Sequence, residues 1–357
     1  MLRRNLRIVA VLAAVCCLSI AVAACGGGSS SSSDTSGKEL TKLRYQLSWL
    51  PSQQFAGLFV ARQKGFFEKH GLEVELIAGG PSVNPITAIA NGSADLGDSQ
   101  PSSVVLARAQ GLPLTQVYQL QQESGTVYVA KKSSGIENLE DVKGKRVGLY
   151  FGGYQAEFLS MLEYAGIKQS EVNMIPQPST MVPFLEGKYD VAMATLWNEL
   201  LTIEEQVPED ELTIMRPSEY GGGLVGTSIA TTEEFVEKRP KELQQFLDAA
   251  AEGWVWALEH PKESAKLVTE QGEGLNLSFE ERGMEKHDEA ICTGPTLEAD
   301  KGLGYITPAY FDQAQKILLA TGQIEETQPT QGMFETKFWE AIPDKFKHPN
   351  CEAEAAS

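Results

Sequence analysis

Residues 47–71 read LSWLPSQQFAGLFVARQKGFFEKHG, and this stretch decides the fold. It holds the end of a strand, a turn at Pro51 and a helix with Phe55, Leu58 and Phe59 on one face, for which Ser52 is a suitable cap. Phe66 continues the helix and Gly71 ends it. In open α/β sheets, ligands bind in the crevice outside the carboxyl ends of strands. Trp49 and the polar pair Gln53 and Gln54 therefore outline a pocket wall.

Outward from this corner the chain alternates. Short strands are expected at 43–47, 72–77, 95–97, 114–120 and 126–130, separated by helices that begin at Asn84-Pro85 and at Pro101. The pattern restarts with strands at 145–150, 172–175 and 191–194 and helices near 155–165 and 181–186. It goes on to strands at 212–215 and 229–231, then to helices from Glu233 and Pro240, with a mostly helical remainder. The segment from Ala90 to Leu96, ANGSADL, matches LEGKYDV from Leu185 to Val191 as apolar, x, Gly, x, x, Asp, apolar. Two α/β units of one plan suggest two lobes with a ligand crevice between them. The expected divisions are 40–123 and 223–350 for the first lobe, 124–222 for the second and 351–357 for a frayed tail.

Arg3, Arg4 and Arg7 followed by the apolar run 8–22 form a targeting segment, residues 1–24. The run is shorter than the ~20 residues a membrane span needs. Val22-Ala23-Ala24-Cys25 resembles the bacterial lipobox, which implies cleavage before Cys25 and lipidation of its sulfur. The rest of 25–39 is a Gly/Ser-rich flexible tether. The body has the composition of a globular protein, 42% hydrophobic and 22% charged. The net charge of −18 argues against nucleic acid and anionic lipid as partners, since both need clusters of Lys and Arg. Cys16 and Cys17 leave with the leader and Cys25 carries lipid, so Cys292 and Cys351 remain as a pair for one disulfide in an exported chain. No spacing suggests a metal site.

The runs from Leu47 to Leu76, from Gly79 to Val104 (GGPSVNPITAIANGSADLGDSQPSSV), LWNEL at Leu196 to Leu200 and TTEEFVEKRPKELQQFLDAA from Thr231 to Ala250 resemble the solute-binding proteins of ABC importers. The resemblance is to the group for thiamine pyrimidine precursors, with alkanesulfonate, nitrate and riboflavin binders as relations. It implies an α/β two-lobed periplasmic-binding-protein fold of type II that closes on one small molecule, a membrane permease as partner and no cofactor. By position it places Trp49 and residues 52 to 55 on one wall, Ser99 and Gln100 at a strand end, and Trp197, Asn198 and Glu199 opposite. Ser52 and Phe55 stand where pyrimidine binders often have Asn and His, and Trp197 stands where Tyr is common. The ligand stays open among these classes.

Trp49, Phe55, Tyr150, Phe151, Tyr154, Trp197 and Tyr220 fall at expected strand ends or converging loops, and aromatic faces suit planar ligands. Gln54, Gln100, Asn198 and Glu199 can read a ring edge, with Glu199 accepting from an amine or also serving its own helix's dipole. Gly152-Gly153 sets backbone N–H groups before a helix, either an anion site or a plain turn. Trp254 and Trp256 read as core. His70, His260, His287 and His348 read as solvated, so a histidine-dependent pyrimidine synthase is disfavoured and a monomeric, lipid-tethered binder is expected.

Overall fold

Among the described residues, alternating or continuously apolar runs build ten strands where the sequence places them: β1 (Thr41–Gln46), β2 (Leu72–Ile77), β3 (Leu96–Ser99), β4 (Leu114–Gln119), β5 (Thr126–Lys131), β6 (Arg146–Leu149), β7 (Asn173–Pro176), β8 (Val191–Thr195), β9 (Leu212–Met215) and β10 (Ser228–Thr232). The computed structural model describes residues 39–151, 153–221, 223–272 and 274–352. The leader, Cys25, most of the tether and Gly152 lie outside the described residues.

The strands form two five-stranded sheets, in the orders β2-β1-β3-β10-β4 and β7-β6-β8-β5-β9. In each, the first three strands are parallel and the fourth runs antiparallel to its neighbours. The fourth strands, β10 and β5, each follow a passage of the chain from one sheet to the other. With helices packed on both sheets, the result is a two-lobed α/β architecture. A carboxylate of the second lobe ties both passages. Glu157 accepts from the Ser124 hydroxyl at 2.9 Å and from the Leu224 N–H at 3.0 Å, and burial pushes it up to about 7.

The short internal repeat has a structural counterpart. The Arg44 N–H donates to Asp95 Oδ2 at 2.8 Å while its guanidinium donates to the Gly92 carbonyl at 2.8 Å. In the second lobe the Arg146 N–H donates to Asp190 Oδ2 at 2.8 Å and its guanidinium to the Gly187 carbonyl at 2.9 Å. Each Gly-x-x-Asp thus ends a helix and pins it to the strand beside it.

The first lobe's core is set by helix Ala56–Gln63 lying on helix Pro240–Glu259. Their backbones approach closely because a methyl at Gly57 would overlap the Trp254 indole and one at Gly253 would overlap the Gly57 carbonyl. Trp254 is 1% exposed, as expected of core. Trp256 lies at the core's edge, stacked on His260 at 4.4 Å with the Lys64 ammonium 3.7 Å from its ring.

The opening corner differs from its sequence reading. A 3-10 turn, Gln53–Phe55, precedes the helix, and Ser52 makes no side-chain cap. Gly65, at φ 72°, then splits the expected single helix into Ala56–Gln63 and Phe66–Lys69. Cys292 and Cys351 stand with Cα atoms 5.8 Å apart, inside the range a disulfide spans. Among the described residues no helix is long and apolar enough to cross a membrane.

Candidate functional site

A cleft of about 280 Å³ lies at the carboxyl ends of β1, β3, β6 and β8, where strand termini of both sheets converge. The first lobe contributes Trp49, Gln54 and Gln100, and the second contributes Tyr150, Tyr154, Trp197, Asn198 and Glu199. Glu199 is the one formally charged residue on the wall, and no Lys, Arg or His lines the cleft among the described residues.

Asp98 fixes the first wall from below. Its Oδ2 accepts from the Ser48 N–H at 2.7 Å and the Ser48 hydroxyl at 2.9 Å, and its Oδ1 accepts from the Tyr45 hydroxyl at 2.6 Å. Burial pushes the carboxyl up to about 6, and the hydrogen bonds from Tyr45 and Ser48 pull it the other way. The loop held in this way presents Trp49, whose ring meets Tyr150 of the other lobe at 4.9 Å and 67°.

Glu199 follows the end of β8 and is 4% exposed. Its Oε2 is occupied, accepting from the Thr195 N–H at 2.9 Å and the Thr195 hydroxyl at 2.7 Å. Among the described residues its Oε1 has only the Tyr150 hydroxyl and the Asn198 amide, each at 3.4 Å. Those separations are long for hydrogen bonds, so this oxygen can take a donor from a ligand. Burial, and next the Glu199 charge, hold the Tyr150 hydroxyl well above its ordinary range, so it remains a neutral donor.

Trp197 is 4% exposed, and its indole meets Gln54 and His287 of the first lobe. Its Nε1–H donates to Gln54 Oε1 at 3.1 Å, and its carbonyl accepts from the Gln53 amide. Gly125 lies flat on the ring, where a methyl would overlap the indole.

Other expected residues stand away from the cleft. The 3-10 turn rotates Phe55 into the core, 2% exposed and edge-on to Phe59 at 6.3 Å. Ser99 is buried and donates to the Gln100 carbonyl at 3.2 Å. The Gly153 N–H donates to Gln155 Oε1 at 3.0 Å, so the backbone donor expected for an anion is taken. Tyr220 packs edge-to-face on Tyr164 at 6.4 Å, outside the cleft. His287, read as solvated, is fully buried between Trp197 and Trp254.

The cleft also takes in residues that the strand-end rule does not reach. The loop Gly80–Asn84 lines it, visible in the sequence only as a Gly-Gly break, and so do Gln121, Gly125 and Thr227 from the two passages between sheets. Among the described residues no group of three His, Cys, Asp or Glu is placed to hold a metal ion.

Comparison with known proteins agrees with this architecture. A Haemophilus influenzae protein named for thiamine biosynthesis is 30% identical over 228 residues, 62% of this chain and 71% of that one. The formylaminopyrimidine-binding protein of Halalkalibacterium halodurans is 25% identical, covering 66% and 72% of the two chains. The 4-amino-5-hydroxymethyl-2-methylpyrimidine phosphate synthase THI13 of Saccharomyces cerevisiae is also 25% identical, covering 67% and 74%. The crystal structure of the periplasmic aliphatic sulphonate binding protein SsuA from Escherichia coli shares the fold, with a TM-score of 0.65 over 84% of this chain and 92% of that one at 15% identity. The NMT1/THI5-like family model matches residues 52–264, more than half of the sequence, and the chain belongs to that family.

Proposed function

We propose that this chain is the solute-binding component of an ABC importer that captures a small, planar amino-heteroaromatic molecule of the thiamine pyrimidine-precursor class and delivers it to a membrane permease. The observation that carries this reading is a cleft with aromatic walls from both lobes and, among the described residues, a single carboxylate with one weakly engaged oxygen and no lining cation. An aminopyrimidine offers a π-face to Trp49 and Tyr150 and an exocyclic N–H to Glu199 Oε1. At about 280 Å³ the cleft falls just below the ~300–1,000 Å³ of pockets for drug-sized ligands, which suits one ring better than a flavin with its polyol chain. Nitrate, sulfonates and phosphorylated pyrimidines call for a cation or free backbone donors, and the Gly153 N–H is already bonded.

Binding rather than catalysis is supported by the lining itself, which lacks His, Lys and Cys among the described residues. These are common choices for a base, a Schiff-base amine or a thiol nucleophile. The test is native mass spectrometry of the purified protein, followed by a thermal-shift screen of pyrimidines, thiamine, flavins, sulfonates and nitrate. An aminopyrimidine should co-purify or raise the melting temperature, and Glu199→Gln should weaken it about 10- to 100-fold, since a hydrogen bond to a charged group contributes roughly 1.5–3 kcal/mol. A stronger response to sulfonate or nitrate would overturn the ligand class.

The same reading makes the protein extracytoplasmic, monomeric and tethered through a lipid on Cys25, with Cys292 and Cys351 oxidised. The lipobox resemblance supports the tether. Cys25→Ser should shift the protein from the membrane to the soluble fraction, and unchanged membrane retention would defeat the lipid anchor.

A further inference from the structure

His287 sits on helix Leu277–Ile291, fully buried, and is unused by the cleft as described above. Its ring meets the Trp197 indole edge-to-face with centroids 4.8 Å apart, and the Trp254 ring at 5.6 Å. Its tautomer follows from its neighbours. The Thr227 N–H donates to Gln121 Oε1 at 2.8 Å, which leaves the Gln121 amide nitrogen to donate to His287 Nε2 at 2.7 Å. His287 is therefore neutral, with its proton on Nδ1, and Nδ1 has no partner among the described residues.

The surroundings come from different parts of the clamp. Trp254 belongs to the first lobe's core, Gln121 to a passage between sheets and Trp197 to the second lobe. Trp197, backed by Gly125 of its own lobe, meets Gln54 and His287 of the first lobe, which form the socket it docks on. None of Trp254, Gln121 and Trp197 is ionisable. On its own helix Glu280 accepts from the Gln53 N–H, and burial is the cause of His287's shift.

We propose that His287 is the positioning residue on which Trp197 docks as the lobes close, so that ligand capture requires an uncharged imidazole and protons favour the open form. This rests on the reading of the cleft as one that closes around its ligand. An imidazolium would set an N–H donor at Nε2 against the fixed Gln121 donor and bury a charge without a partner. In the closed form burial takes the imidazole down to about 3. Withdrawing Trp197 uncovers the ring, and its proton affinity returns toward the ordinary ~6.5. The closed form thus binds fewer protons, so acid shifts the equilibrium toward opening.

The experiment measures binding of 4-amino-5-hydroxymethyl-2-methylpyrimidine to the full chain by calorimetry from pH 7.5 to pH 5, for the native protein and for His287→Gln. The native affinity should fall by up to about tenfold per pH unit below ~6.5, and a slope shared by both proteins is ascribed to the probe's own titration. The part of the slope due to His287 should vanish in His287→Gln, whatever its affinity at pH 7.5. Equal slopes in the two proteins would overturn the proposal. Histidine-ring nuclear magnetic resonance of the native chain decides the matter if the variant fails to fold: His287 should titrate near pH 6.5 without ligand and stay neutral to pH 5 with it. If the probe does not bind at pH 7.5, the pyrimidine reading fails on its own. The ligand-free protein then judges the socket, and a ring that stays neutral down to pH 5 overturns it.

Discussion

Trp197→Ala should weaken ligand binding by roughly 30- to 1,000-fold, the range that follows from ~2–4 kcal/mol for truncating a well-packed aromatic anchor. The indole has two roles that fail together. It is part of the cleft wall, and it is the plug by which the second lobe engages Gln54 and His287 of the first. Removing it costs the ligand a π-face and also leaves the closed form with an unfilled socket over a buried imidazole. On the proposed docking of Trp197 at closure, the unfolding midpoint of the ligand-free protein should move little. Trp254→Ala is the contrasting substitution: that ring is 1% exposed and packed on Gly57, so its loss should destabilise the protein by about 3–5 kcal/mol with or without ligand. Calorimetric binding together with denaturant unfolding separates the two. If Trp197→Ala lowers ligand-free stability as much as Trp254→Ala does, the indole is permanent core and the plug is excluded.

What the sequence exposes here is what short-range physics controls. Strands such as β2 and β8 are legible because alternation and apolar runs state their burial locally, and the Arg–Asp ties behind the Gly-x-x-Asp repeat act within one lobe. Trp49, Gln100, Tyr150 and Glu199 are legible as wall residues for the same reason, since strand ends in an open sheet face the crevice. Phe55 was misplaced by a rotation of one short turn, a degree of freedom that periodicity cannot resolve. Tyr220 has the residue type but packs on Tyr164 of its own lobe. His287 is the instructive case. Helix Leu277–Ile291 carries enough Glu, Lys and Arg to read as a solvated surface, and what buries its histidine is an indole ninety positions earlier in the chain, on the other lobe. Burial of that kind is created by contact between lobes, and no local pattern encodes it.

Gly125→Ala should weaken ligand binding by about 5- to 150-fold, from the ~1–3 kcal/mol typical of overpacking a filled site. Gly125 lies on the passage between β4 and β5, and a methyl there would overlap the six-membered ring of Trp197. Its backbone is not in the left-handed region, so alanine is conformationally acceptable and the harm is confined to the ring contact. The Gly125 carbonyl accepts from the Leu196 N–H at 2.9 Å, so the glycine stays beside Trp197 within one lobe, and the methyl should lower ligand-free stability as well as displace the indole from the cleft wall. Trp197 supplies the internal control. With the indole already gone, the methyl has nothing to strike, so Gly125→Ala/Trp197→Ala should bind no more weakly than Trp197→Ala alone, a coupling as large as the effect of the glycine substitution itself. Calorimetry on the two single variants and the double variant measures it. Additive losses would mean that Gly125 acts on the passage between lobes rather than on Trp197.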